Sequence, residues 1–146
     1  MTLDFLGTSI NFTSEGSGPC VVLLHGYTES LKIWKKFDEV LCRSFRVIAI
    51  DLPGFGKSEC VAEIHTMELM ADVVKEVLDA CRIKRCLMVG HSMGGFVTLA
   101  FARKYADLLQ GICLFHSHPF EDTEEGRMNR ERSIKLMREN RQNYIF

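Results

Sequence analysis

Gly90-His91-Ser92-Met93-Gly94 is the stretch on which the reading of this chain turns. The apolar run Cys86-Leu87-Met88-Val89 precedes it, and a mostly apolar segment, residues 95–102, follows it. That order predicts strand, tight turn, helix. In such a context G-x-S-x-G is a nucleophile elbow, a strained turn that lifts a serine hydroxyl above the end of a sheet. The flanking glycines have a steric reason. A turn wedged between a strand and a helix leaves no room for Cβ atoms on either side of the serine.

Outward from the elbow, the same alternation recurs. Val21-Val22-Leu23-Leu24 and residues 45–50 are short apolar runs bounded by turn residues, as expected of strands buried on both faces, and residues 112–115 read as a fourth strand. Residues 30–42 carry helical spacing at Leu31, Trp34, Phe37, Val40 and Leu41. Residues 67–81 carry it at Leu69, Met70, Val73, Val74, Val77 and Leu78, with Thr66 placed to cap the start. Residues 92–105 read as a buried helix. Near the N-terminus, residues 3–6 and 9–12 predict a β-hairpin around Gly7, and Glu15-Gly16-Ser17-Gly18-Pro19 a turn. Residues 121–143 are strongly charged and read as a solvated helix with Met128, Ile134, Leu136 and Met137 as its apolar minority.

Strands alternating with helices predict an α/β fold: a predominantly parallel sheet flanked by helices, with an N-terminal β-hairpin. Ligands of such sheets bind beyond the carboxyl ends of the strands. His25, Asp51, Ser92 and His116 all fall just past predicted strand ends, so they are expected along one edge.

Composition narrows the function classes. The 146 residues carry a formal net charge of −1, which gives no electrostatic case for nucleic acid or an anionic membrane. No run approaches the ~18 apolar residues that span a bilayer. Met1-Thr2-Leu3-Asp4 does not open a basic and then apolar leader, so no signal peptide is read. Six cysteines, Cys20, Cys42, Cys60, Cys81, Cys86 and Cys113, are scattered without a C-x-x-C pair. They read as buried reduced thiols, which suits a reducing cytoplasm.

Four segments together carry a family resemblance. Gly16-Ser17-Gly18-Pro19, Val21 to Leu24 with His25-Gly26-Tyr27, Asp51-Leu52-Pro53-Gly54-Phe55-Gly56-Lys57-Ser58, and Gly90 to Gly95 occur in the order and spacing of the α/β-hydrolases. The resemblance covers roughly residues 3–120. It implies a hydrolase core over residues 1–120 and the start of a helical cap over residues 121–146. It makes Ser92 the nucleophile, and the backbone N–H groups of Tyr27 and Met93 the oxyanion-hole donors. Preorganised donors of that kind lower an acyl-transfer barrier by about 3 to 4 kcal/mol each. His25 is expected to brace the oxyanion loop. With His116 and His118 it is also a candidate for substrate contact. His91, by alternation, should point away from the apex and pack. Asp51 should fix its loop through backbone hydrogen bonds. Gly54-Phe55-Gly56-Lys57-Ser58 lacks the spacing of a phosphate-binding loop.

The resemblance implies a small-molecule ester or related acyl substrate, no cofactor, no metal, no nucleic acid and no membrane. Amide, thioester and carbon–carbon substrates stay open. Serine at the elbow argues against epoxide hydrolase and haloalkane dehalogenase chemistry, which resembling enzymes run through an aspartate.

In the family the order is serine, then acid, then histidine. No histidine occurs after His118, so the triad acid and base are not found in this chain. Two expectations follow. Either the sequence is the N-terminal part of a longer hydrolase, incomplete at its C-terminus, or it is a complete short protein with another base; the alternative to an enzyme is an inert fragment or a non-enzymatic interaction domain with the same fold. His116 and His118 are the only histidines placed to act as a base in cis, and with Glu121 and Asp122 they also form a loose, undiagnostic metal-like grouping. The strand at 112–115 would be an open edge, through which copies are expected to self-associate.

Overall fold

The N-terminal hairpin is continuous with the main sheet. β1 (Thr2–Phe5) pairs antiparallel with β2 (Thr8–Glu15), and β2 then pairs antiparallel with β4 (Arg46–Ile50). That double duty explains why β2 is eight residues long rather than the four expected: its first half closes the hairpin and its second half carries the sheet inward. The computed structural model describes residues 1–139. The expected helix end at Asn143 and the tail Asn143-Tyr144-Ile145-Phe146 lie outside the described residues.

β3 (Cys20–Leu24), β4, β5 (Cys86–His91) and β6 (Leu109–Phe115) run parallel. The spatial order is β1-β2-β4-β3-β5-β6. This is the predicted α/β architecture. α1 (Lys35–Leu41), α2 (Met67–Ala80), α3 (Met93–Tyr105) and α4 (Glu124–Glu139) complete the described elements, with a 3₁₀ turn at Leu31–Trp34 before α1.

β3 and β4 read as unbroken apolar runs because both faces are covered, whereas on β5, expected to be buried likewise, Leu87 is exposed and Val89 half-buried. On β3, Val22 and Leu24 join a core with α2 and α3, while Val21 and Leu23 join a smaller core around Trp34. α2 behaves as its periodicity predicts. Thr66 caps it by accepting from the Leu69 N–H at 3.1 Å, and Met70, Val73, Val74, Val77 and Leu78 are buried. Residues 30–42 depart from expectation. They split into the 3₁₀ turn and α1, and only Trp34 is buried, whereas Phe37 and Val40 stay exposed.

β6 is the outer strand. Among the described residues it pairs only with β5, and Ile112, Cys113 and Phe115 are exposed along it. All six cysteines are free thiols. Cys20, Cys81 and Cys86 are buried as expected, and burial pushes the Cys86 thiol up to about 12. Cys60 and Cys113 instead are exposed, because one sits in the loop before α2 and the other on the outer strand. Among the described residues, no helix is long and apolar enough to cross a membrane.

Candidate active site

The elbow is a consequence of close packing. Ser92 sits between β5 and α3 at φ 49° and ψ −112°, a backbone region that residues bearing a Cβ rarely adopt. A Cβ on Gly90 would lie 2.2 Å from the Gly94 carbonyl oxygen, and one on Gly94 would lie 2.5 Å from that of Leu24. Both neighbours are main chain and cannot rotate away. The elbow is also held from β6. The Ser92 N–H donates to the Phe115 carbonyl at 3.0 Å, and the Ser117 hydroxyl donates to the Ser92 carbonyl at 2.9 Å. Ser117 Oγ in turn stands 2.3 Å from where a Gly95 Cβ would be.

The second element is the loop after β3. His25 is fully buried. Its Nε2 accepts from the Leu52 N–H at 2.9 Å, so the proton sits on Nδ1, which donates to the Gly26 carbonyl at 2.7 Å. Burial pushes the His25 pKa down, against the opposing pull of the Gly26 carbonyl and of the Asp51 and Glu29 carboxylates. The ring is therefore the neutral form that this two-sided bonding requires. Holding the Gly26 carbonyl fixes the direction of the Tyr27 N–H, because the two groups of a trans peptide point in opposite directions. Thr28, next in the chain, sits at φ 61°.

Asp51 is buried at the end of β4 and organises the third loop. Its Oδ1 accepts from the Leu31 N–H at 2.7 Å, and its Oδ2 from the Lys57 N–H at 2.9 Å and the Asn11 amide at 2.8 Å. A Cβ on Gly56 would lie 2.3 Å from this carboxyl group. The glycine-rich loop thus turns around an internal anion, which occupies the place that a bound phosphate would need.

These loops and α4 enclose a cavity of about 710 Å³. Ser92, Met93 and Tyr27 line it together, with Phe55, Met67 and Phe96 supplying apolar wall. α4 contributes Asn129, Arg130, Ser133 and Ile134, positions that recur at helical spacing on one face. At this wall Arg130 pairs with Asp122 at 2.7 Å. His116 and His118 also line the cavity, and His118 packs edge-on against Phe96.

His25 does not reach the cavity. Both ring nitrogens are engaged inside the fold, so it supports the loop after β3 and cannot contact a substrate. His116 and His118 do not gather with Glu121 and Asp122 as ligands: among the described residues no group of three or more His, Cys, Asp or Glu is placed to hold a metal ion.

Two residues of the site were not found by sequence reasoning. His65 lines the cavity, and its Nε2 accepts from the Val61 and Ala62 N–H groups at 3.1 and 3.3 Å. Glu29 joins the loop after β3 to the elbow. Its Oε2 accepts from the Gly26 N–H at 2.7 Å and faces His91 Nδ1 at 2.8 Å. No local pattern marks either residue, since a turn glutamate and a loop histidine usually face solvent.

Comparison with known proteins places the chain. A family model described as the α/β hydrolase fold matches residues 19–140. The pimeloyl-[acyl-carrier protein] methyl ester esterase of Vibrio vulnificus is 32% identical over 114 residues, covering 78% of this chain and 43% of that protein. Epoxide hydrolase 3 of Xenopus tropicalis is 27% identical over 118 residues, covering 77% of this chain and 32% of that protein. Among solved structures, a thermophilic esterase from Thermogutta terrifontis superposes with a TM-score of 0.88 at 36% identity, over 99% of this chain and 54% of that one. This chain thus spans less than half the length of these curated relatives.

Proposed function

The chain belongs to the α/β-hydrolase fold family, and from that premise we propose that its cavity is the acyl-transfer site of a serine hydrolase acting on carboxylic esters. The observation that carries the reading is the backbone of Ser92. A non-glycine residue is held at φ 49° by glycines whose Cβ positions are occupied, and it opens into the cavity. Strain of this kind costs on the order of 1 to 3 kcal/mol and is retained where position matters more than comfort.

On this reading Ser92 Oγ attacks the ester carbonyl and the alcohol leaves, giving an acyl-enzyme that water then hydrolyses. The N–H of Met93, at the first turn of α3, and the N–H of Tyr27 receive the negative charge that builds on the carbonyl oxygen. The positive end of the α3 dipole adds to the same stabilisation. Phe55, Met67 and Phe96 suit the apolar part of a substrate, while His116, His118 and the inner face of α4 suit its polar part. Serine at the elbow, rather than aspartate, supports ester over epoxide chemistry.

A serine hydroxyl is a weak nucleophile until a base takes its proton. His65, His116 and His118 line the same cavity, and among the described residues none of their rings hydrogen-bonds Ser92 Oγ. In the family's order the acid and the histidine come later than the serine. The complete activity is therefore assigned to the whole protein. The competing reading is a domain that keeps the fold and does no chemistry.

Covalent labelling of the whole protein with a fluorophosphonate separates the two. Labelling of the wild type, with none in Ser92→Ala, is the expected result, accompanied by slow release of p-nitrophenol from a short-chain p-nitrophenyl ester. Equal labelling of both proteins, or of neither, sinks the nucleophile assignment.

A further inference from the structure

An oxyanion hole of this design has its two donors on different pieces of chain. Met93 belongs to the elbow, and Tyr27 to the loop after β3. Each piece is well held by itself. His25 ties the loop to Leu52 beyond β4, and Phe115 and Ser117 tie the elbow to β6. None of these bonds sets the loop relative to the elbow. Glu29 does. One oxygen of its carboxylate accepts from the Gly26 N–H, one residue before Tyr27, and meets His91 Nδ1, one residue before Ser92.

We propose that Glu29 is a positioning residue: through its shared Oε2 it fixes the separation of the two oxyanion donors, and so sets the reactivity of Ser92. The inference rests on the acyl-transfer reading of the same cavity.

The surroundings fit a strut. A Cβ on Gly26 would lie 2.7 Å from Glu29 Oε2, 3.0 Å from His91 Nδ1 and 3.2 Å from Ser92 Cβ. The carboxylate is therefore packed into the seam between loop and elbow, where only a glycine leaves space for it. His91 is oriented on its other sides by Trp34, with ring planes at 90°, and by Phe115. Its ring is thus braced while Nδ1 donates to the carboxylate. Glu29 keeps about a third of its side-chain surface exposed, so replacing it does not open the core. The loop it restrains contains the strained Thr28, and a strained segment persists only when its surroundings over-determine it.

The chemistry of the contact gives a discriminating pair of variants. Glu29→Gln keeps a carbonyl oxygen that accepts two N–H groups without the charge. Glu29→Met keeps the length of the side chain and accepts neither. Two readouts are followed in the whole protein: the amide resonances of Gly26 and Tyr27, and the saturation kinetics of fluorophosphonate labelling. The Met variant is expected to move both amides and to lower the maximal labelling rate on the order of tenfold to a hundredfold, the scale of an ångström misplacement. The half-saturating reagent concentration should change little, and Gln should restore both readouts. If Met leaves the amides and the rate unchanged, or if Gln fails as completely as Met, the proposal is overturned. If the wild type is not labelled at all, the acyl-transfer reading fails, and the strut is judged on the amides alone: movement in Met with recovery in Gln supports it, and no movement overturns it.

Discussion

Two neighbouring strands end in the same backbone event and are held there by different means. β5 ends at Ser92 with φ 49°, and β6 is followed by His116 with φ 48°. At Ser92 the conformation is enforced by glycines on both sides, whose missing Cβ atoms let β5, α3 and β3 come into main-chain contact. At His116 no glycine is near in sequence, and the adjoining restraints are two hydrogen bonds to Ser92, one from its N–H to the Phe115 carbonyl and one from the Ser117 hydroxyl to its carbonyl. Steric main-chain packing makes a turn that cannot relax, whereas hydrogen bonds make one that can. The rigid turn carries the candidate nucleophile, and the softer one carries a cavity-lining histidine.

Substitutions at the two turns test that contrast. The largest effect is expected at the glycines. Gly90→Ala or Gly94→Ala places a methyl group against carbonyl oxygens with no rotamer to escape to, and should destabilise the chain by about 3 kcal/mol or more, seen as a collapse of the denaturant midpoint. A near-neutral result would mean that the elbow is not main-chain locked. Next comes relief of strain. Ser92→Gly should stabilise by on the order of 1 to 3 kcal/mol while abolishing any labelling. His116→Gly should gain less, about 1 kcal/mol, because a turn held by hydrogen bonds rather than by main-chain packing stores less strain, and in both variants part of the relief is offset by the freedom glycine adds to the unfolded chain. Equal gains at both positions would erase the distinction.

Ser117→Ala removes one hydrogen bond and should cost about 1 kcal/mol, with a modest slowing of labelling as the elbow keeps, of these two bonds, only the main-chain one to Phe115. The smallest effect is one of pH, at the third turn on this edge. The folded His25 pKa lies below its ordinary 6.5, so the unfolded chain protonates first as pH falls. The stability contributed by neutral His25 is fully present above pH 6.5 and is lost as pH drops below it. His25→Asn should flatten that slope in unfolding curves measured at pH 5 and pH 7.5.

Much of this was readable in one dimension. Val21 to Leu24 are apolar without interruption because cover lies on both faces, and that need is written in each residue, whereas Cys86 to Val89 read the same way although Leu87 is exposed. Gly90 and Gly94 were readable for a similar reason, since a steric exclusion leaves a glycine behind in the sequence. Residues 30–42 were only partly readable. Their apolar spacing suggested a buried stripe, but Phe37 and Val40 are exposed, because burial depends on what lies opposite and spacing does not record that.

The sequence by itself determined the order of strands and helices, the sheet edge that carries the loops, and the serine raised at the elbow. These follow from local steric and hydrophobic requirements that each residue meets with its nearest neighbours in the chain. Only the tertiary structure decided that His25 faces inward, that His65, His116 and His118 share the cavity with Ser92, and that Glu29 reaches 62 residues along the chain to His91. Those depend on where separate segments come to rest against one another, and a carboxylate or an imidazole has the same formula whether it meets water or a partner brought to it by the fold.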